Sequence, residues 1–201
     1  MAKKRIGIEN DIDGAVSEAV AVLAGGGVLV FPTETVYGIG VVSGDSGALE
    51  KLRRLKGREG GKPFQYLVET TEMATAMGAV FSGGAAKLAR NYWPGPLTLV
   101  VPDGTGTGTL GVRVPDAPFV LALCRELGRP LVSSSANPAG EPPPLDAAAA
   151  DVFGDGVDLL IDAGPVVGGV PSTVVRCSDD DFTILRHGGI DEEAIRAAWD
   201  E

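Results

Sequence analysis

The chemistry this chain can do is concentrated in a few short stretches, and the first is cationic. Lys51, Arg53, Arg54, Lys56, Arg58 and Lys62 fall within twelve positions, opposed only by Glu59. Such a run is either a solvated helix face that continues into a loop or a site for an anion. Its ending, Lys56-Gly57-Arg58-Glu59-Gly60-Gly61-Lys62-Pro63, favours the anion. Three cations around a glycine-rich turn suit a triphosphate, which needs charge neutralisation and close donors. The stretch is not a P-loop: Lys56 stands where the first glycine belongs, and Pro63 replaces the hydroxyl residue that would hold magnesium. Phosphate binding here would rest on side chains more than on a backbone cradle.

Other stretches add neutral donors and one unusual charge. Phe31-Pro32-Thr33-Glu34-Thr35-Val36-Tyr37-Gly38-Ile39-Gly40 packs hydroxyls, a carboxylate and a phenol ahead of two glycines. It reads as a glycine-rich connection or as backbone passing close to a ligand. In Thr109-Leu110-Gly111-Val112-Arg113-Val114-Pro115 an arginine sits inside an apolar strand and must have a partner. That partner is a protein carboxylate or the carboxylate of a substrate held by the guanidinium fork. Ser133-Ser134-Ser135-Ala136-Asn137-Pro138-Ala139-Gly140 supplies hydroxyls and an amide, as a plain Asx or Ser turn or as donors to phosphate oxygens and a base edge. No G-x-S-x-G pattern surrounds these serines, so a nucleophile elbow is unsupported. Pro171-Ser172-Thr173 and Leu185-Arg186-His187-Gly188 repeat the theme of a strand flanked by polar residues. His187, the one histidine, reads as a loop residue and not as a base.

These residues must be held by strands and helices of mixed order. Strands are expected at 28–31, 64–68, 97–102, 112–114, 130–134, 159–162, 173–176 and 182–185. Helices are expected at 15–23 behind an Asp13 cap, from Asp45 to Gly57, at 118–127 and at 191–199. Strict βαβ alternation is missing, which predicts one sheet of mixed direction and not a doubly wound nucleotide fold. The Trp93-Pro94-Gly95-Pro96 turn reads as architectural, with its indole on the core. The glycines and prolines fall in connections, and neither a repeat nor a domain boundary is visible.

Bulk properties exclude several classes. The chain has 201 residues, 44% hydrophobic and 22% charged, enough for one domain with a real core. No apolar run approaches a membrane helix, and Glu9, Asp11 and Asp13 interrupt the stretch after the basic start, so a cytoplasmic protein is expected. Cys124 and Cys177 share no C-x-x-C spacing and are expected to be free thiols. With one histidine, a zinc site lacks ligands. A net charge of −10 argues against non-specific coating of nucleic acid.

In order along 15–190, the motifs Pro-Thr-Glu-Thr-Val-Tyr-Gly, Lys-Gly-Arg with a downstream Lys-Pro, Trp-Pro-Gly-Pro-Leu-Thr, Val-Arg-Val-Pro, Ser-Ala-Asn, Pro-Ser-Thr-Val-Val and Leu-Arg-x-Gly resemble the YrdC-like threonylcarbamoyl-AMP synthase family. The resemblance implies a single twisted mixed α/β domain over 1–201 with a large concave cavity, of the short type without an extra C-terminal domain. It implies an L-threonylcarbamoyladenylate synthase, a nucleotidyltransferase that takes ATP, L-threonine and bicarbonate and serves tRNA modification. Thr35, Arg113 and Ser172 match threonine positions. Lys56, Arg58, Lys62, Thr109, Ser133, Ser135, Asn137 and Arg186 match nucleotide positions, with Lys56 and Arg58 facing the reacting phosphates. Magnesium is implied as the companion of ATP, without a protein-only metal site. Departures are Glu59-Gly60-Gly61 where a proline is common, Pro143 in place of a hydroxyl residue, and His187 after Leu-Arg. The alternatives are a paralogue acting on another carbamoyl or acyl-phosphate substrate, and a module binding tRNA or double-stranded RNA. Few aromatic residues speak against extended base stacking.

Overall fold

The structure is a computed structural model that describes residues 1–9, 11–57 and 63–201. Its strands are β1 (Arg5–Gly7), β2 (Leu29–Phe31), β3 (Gly38–Val42), β4 (Gln65–Leu67), β5 (Leu97–Pro102), β6 (Thr109–Arg113), β7 (Leu131–Ser135), β8 (Leu159–Asp162), β9 (Thr173–Cys177) and β10 (Phe182–Arg186). Its helices are α1 (Ile12–Ala24), α2 (Ser46–Leu55), α3 (Thr71–Ala76), α4 (Gly83–Tyr92), α5 (Pro118–Leu127), α6 (Ala147–Ala150) and α7 (Glu192–Asp200). Among the described residues all strands join one sheet in the order β1-β8-β2-β3-β7-β4-β6-β5-β9-β10. Four neighbouring pairs are parallel (β1 with β8, β2 with β8, β4 with β6, β5 with β9) and the other five antiparallel. The sheet is therefore mixed, as the absence of βαβ alternation predicts.

Helix starts follow local capping chemistry. Asp45 accepts the Ala48 N–H at 2.9 Å and opens α2. The cap of α1 is Asp11, which takes the Gly14 N–H at 2.8 Å; the expected Asp13 lies inside the first turn instead. Either aspartate suits a helix N-terminus, and only Asp11 has the non-helical backbone a cap requires.

Alternation along the strands assigns each helix to a face. Leu29, Phe31, Leu131, Leu159 and Ile161 meet Ala19 and Leu23 of α1 and Phe119 and Leu123 of α5. Their neighbours Val30, Ile39, Val41, Val132 and Leu160 meet Ala48 and Leu52 of α2. Since successive side chains point to opposite faces, α2 covers the side away from α1 and α5. Farther along the sheet, Leu97, Leu99, Val101 and Val112 enter a third cluster with Leu88 of α4 and Ile195 and Trp199 of α7. The opposite parity there, Thr98, Val100, Gly111 and Arg113, forms the floor of a cavity that α2 borders with Leu49, Glu50 and Arg53.

Two strands and three helices lie outside the sequence expectations. Glycines at 38 and 40 disguise β3, which β2 and β7 pair on both sides and bury completely. The short, charged β1 is held by β8 and by the Arg5–Asp162 ion pair. In α4, which opens with Gly83-Gly84, Gly84 lets the helix sit against the Trp199 indole, where a Cβ would fall 2.1 Å from a ring atom. Here packing overrides local propensity. Trp93 is architectural as expected: its Nε1 donates to the Leu97 carbonyl at 2.7 Å and its ring meets the edge of Phe81.

Candidate functional site

The cavity is about 1050 Å³, just above the usual range of small-molecule sites. Strands β4 to β7 and β9 supply most of its polar floor, because paired residues in register share a face: Gln65 with Ser133 and Gly111, and Val100 with Gly111. The connection into β3 adds Thr35, and the segments around β9 and β10 add Ser172 and Arg186.

Arg113 is the organising charge of one wall and is only 3% exposed. Its Nε donates to the Gly95 carbonyl at 3.0 Å and Nη1 to Thr35 Oγ1 at 3.1 Å. Nη2 pairs with Glu34 Oε1 at 2.5 Å. The sequence question about a partner for this arginine thus has a protein answer, Glu34. A guanidinium has five N–H donors, so two remain beyond these three bonds. Burial pulls the Arg113 pKa down, with Glu34 opposing. Thr35 is set by its own neighbours: Thr33 Oγ1 lies 2.8 Å from Thr35 Oγ1 and donates to the Val36 carbonyl at 2.6 Å. The segment at Gly168 presses on this turn so closely that a Cβ there would fall 2.2 Å from the Glu34 carbonyl oxygen. Gly169 donates its N–H to the Thr35 carbonyl at 3.1 Å.

A second guanidinium faces the same space. Arg186 donates to the Ser172 carbonyl from Nε at 3.0 Å and from Nη2 at 2.9 Å, and Nη2 also reaches Ser172 Oγ at 2.9 Å. Its pKa is lowered by burial and then by the nearby charge of Arg113. Arginine stays charged at neutral pH, so the cavity holds two partly desolvated cations that repel each other. An anion between them relieves that repulsion. From Ser172 the hydrogen bonds continue to Thr98 and Gln65 on the floor.

Of the residues singled out from sequence, the fold brings Thr35, Thr109, Arg113, Ser133, Ser135, Ser172 and Arg186 to this cavity. Two others stand elsewhere. Lys56, 2% exposed, donates to the Ser135 carbonyl at 2.7 Å and also to the Asn137 carbonyl, with its ammonium 5.7 Å above the Phe153 ring. It clasps the Ser135–Asn137 turn through these carbonyls. Asn137 donates to the carbonyls of Pro138 and Glu141 and lines a separate hollow of about 360 Å³ beside Pro143. Arg58 and Lys62 lie outside the described residues. The walls also hold Arg53, a member of the cationic run read as an anion site, together with Arg176, Glu50 and Gln65, which sequence reasoning did not single out for this site. Arg176 could be found by parity, since it shares a face with Ser172; Gln65 needs the β4–β7 register that sets it opposite Ser133. Among the described residues no group of three or more His, Cys, Asp or Glu is placed to hold a metal ion. Cys124 and Cys177 are free and buried, and burial pushes both thiols up to about 12. No helix among the described residues is long and apolar enough to cross a membrane.

Comparison with known proteins gives this geometry relatives. The Sua5_yciO_yrdC family, described as telomere recombination, matches residues 21–188. A threonylcarbamoyl-AMP synthase of Bacillus subtilis is 37% identical over 92% of this chain and 56% of its own. A putative threonylcarbamoyl-AMP synthase of Mycobacterium tuberculosis is 40% identical over 90% of this chain and 87% of its own. The crystal structure of P. abyssi Sua5 complexed with L-threonine superposes with a TM-score of 0.87 at 30% identity, over 97% of this chain and 60% of that one. The chain therefore spans just over half the length of the Bacillus relative.

Proposed function

The chain belongs to the Sua5/YciO/YrdC family, and from that premise we propose that it is a threonylcarbamoyl-AMP synthase. It joins L-threonine, bicarbonate and ATP into threonylcarbamoyl-AMP and diphosphate, for use by proteins that modify tRNA in the cytoplasm. The single observation that carries the reading is the pair of partly desolvated guanidiniums, Arg113 and Arg186, in one large cavity whose floor also carries several hydroxyls. That combination suits one small carboxylate and one polyphosphate at close quarters. The P. abyssi relative, solved with L-threonine, supports the amino acid half.

In this reading Arg113 gives its two remaining donors to the threonine carboxylate, with Thr35 and Ser172 beside it. Bicarbonate takes up a proton and loses water to give carbon dioxide; the threonine amine adds to that carbon and releases a proton, leaving a carbamate. A carbamate oxygen attacks the α-phosphorus of ATP, the bond to the β-phosphate oxygen breaks, and diphosphate leaves. The protein forms no covalent bond itself; it contributes placement and charge. Ser133, Ser135, Thr109 and Arg186 hold the nucleotide, and Arg58 and Lys62 neutralise the phosphates. Lys56 sets the Ser135–Asn137 turn by its two carbonyl bonds and thereby the nucleotide donors on it. Magnesium would arrive with ATP: the cavity's hydroxyls and the Glu50 carboxylate suit an ion that keeps most of its water and its phosphate oxygens. Bound there, it would withdraw charge from the phosphates. The test is diphosphate release by the purified protein, which should require all three substrates and fall to background when threonine is omitted.

A further inference from the structure

Five polar residues form a hydrogen-bonded line across the cavity floor, and its proton order is set by the Gln65 amide, whose oxygen can only accept and whose nitrogen can only donate. Arg186 can only donate, so Ser172 Oγ accepts from it at 2.9 Å. Thr98 Oγ1 lies 2.9 Å from both Ser172 Oγ and Gln65 Oε1. An amide oxygen only accepts, so the single proton of Thr98 goes to Gln65. The Ser172–Thr98 bond must then take its proton from Ser172. With Oε1 committed, Gln65 turns its amide N–H to Ser133 Oγ at 3.5 Å. Ser133 receives that donor and keeps its own proton for the cavity. Ser172, Thr98 and Ser133 are each at most 3% exposed, so water does not scramble the order.

The fold makes room for this line. Gln65 and Ser133 stand directly opposite in the β4–β7 register. On the other side Gln65 faces Gly111 in the β4–β6 register, and its amide oxygen reaches Thr98 of β5 at 2.9 Å.

We infer that Gln65 is a positioning residue whose amide sets the sense of the floor's hydrogen bonds, taking the Thr98 proton on its oxygen and turning its N–H to Ser133. The Ser133 hydroxyl becomes a donor for an anionic nucleotide oxygen, while Ser172 at the other end presents only an acceptor. The inference rests on the proposed reading that nucleotide meets Ser133. At 3.5 Å the last link is at the long limit of a hydrogen bond, so it orients more than it binds.

Calorimetric titration of ATP and of threonine, each alone, tests this with Gln65→Met, a change that keeps length and removes both hydrogen-bonding groups. The ATP dissociation constant should rise about fivefold, the net worth of one neutral hydrogen bond, and the threonine constant should change less than about twofold, well inside that same bond's worth. Ser133→Ala should show the same ATP loss, and the double variant no further loss, since Gln65 acts through Ser133. Additive losses, or equal weakening of both ligands, would overturn the inference. Retained threonine binding reports an intact fold; should Gln65→Met not fold, Thr98→Val cuts the same line and must lower ATP affinity, or the inference fails. Unaltered protein that binds ATP as Gln65→Met does overturns the inference alone. Unaltered protein that binds neither ligand overturns the reading of the site, and this inference with it.

Discussion

Replacing Arg113 with methionine separates what this residue does for the fold from what it does for a ligand. The change removes bonds to the Gly95 carbonyl, Thr35 Oγ1 and Glu34 Oε1. Glu34 Oε2 is already buried without a partner among the described residues, so the variant leaves a carboxylate with neither oxygen compensated. Breaking a buried pair from one side costs about 3–5 kcal/mol. Glu34 keeps 21% of its side-chain exposure, which places the loss near the lower figure, about 3 kcal/mol. For a chain of this size each kcal/mol moves Tm by about 2–4 °C, so Tm should fall by roughly 6–12 °C. Adding Glu34→Gln removes the stranded charge and should recover most of that fall. Neither variant should bind threonine with the affinity of the unaltered protein, while ATP binding should weaken much less. Differential scanning calorimetry and threonine titration on the three proteins provide the readouts. The reasoning is refuted if Arg113→Met melts with the unaltered protein, or if the double variant binds threonine normally.

Other expectations concern the frame around the site. Gly84→Ala drives a methyl into the Trp199 ring, and α4 and α7 must part; overpacking of this kind costs about 1–3 kcal/mol, read as a lower urea midpoint. Asp162 accepts the Gly164 N–H and then pairs with Arg5, and these hold its carboxyl below the usual value. A depressed carboxylate stabilises fully above its unfolded pKa of about 3.9 and loses that contribution as pH falls through the folded value. Asp162→Asn should therefore lower Tm at neutral pH, and the gap from the unaltered protein should close below about pH 4.

Much of the site was legible because strands expose alternate residues. Once Arg113 and Ser133 are suspected, parity and register bring Gln65 and Thr98 to the same floor. What stayed hidden depends on long-range partners. Glu34 was visible as a polar residue, yet only the approach of β6 to the turn before β3 makes it the mate of Arg113. Lys56 looks like a phosphate ligand in a cationic run; the fold turns its ammonium onto two carbonyls of a turn nearly eighty positions away. The helices α3, α4 and α6 escaped for a related reason. They are short or begin with glycine, and their stability lies in the faces they bury, not in local propensity. The strand β3 is the sheet counterpart, a glycine-rich segment ordered by neighbours on both edges.

The most direct test of the proposed activity tracks the carbon. Purified protein with ATP, L-threonine and carbon-13 bicarbonate should yield an adenylate whose carbamoyl carbon carries the label, in step with diphosphate. An adenylate without the label, or diphosphate released equally without threonine, would contradict the account.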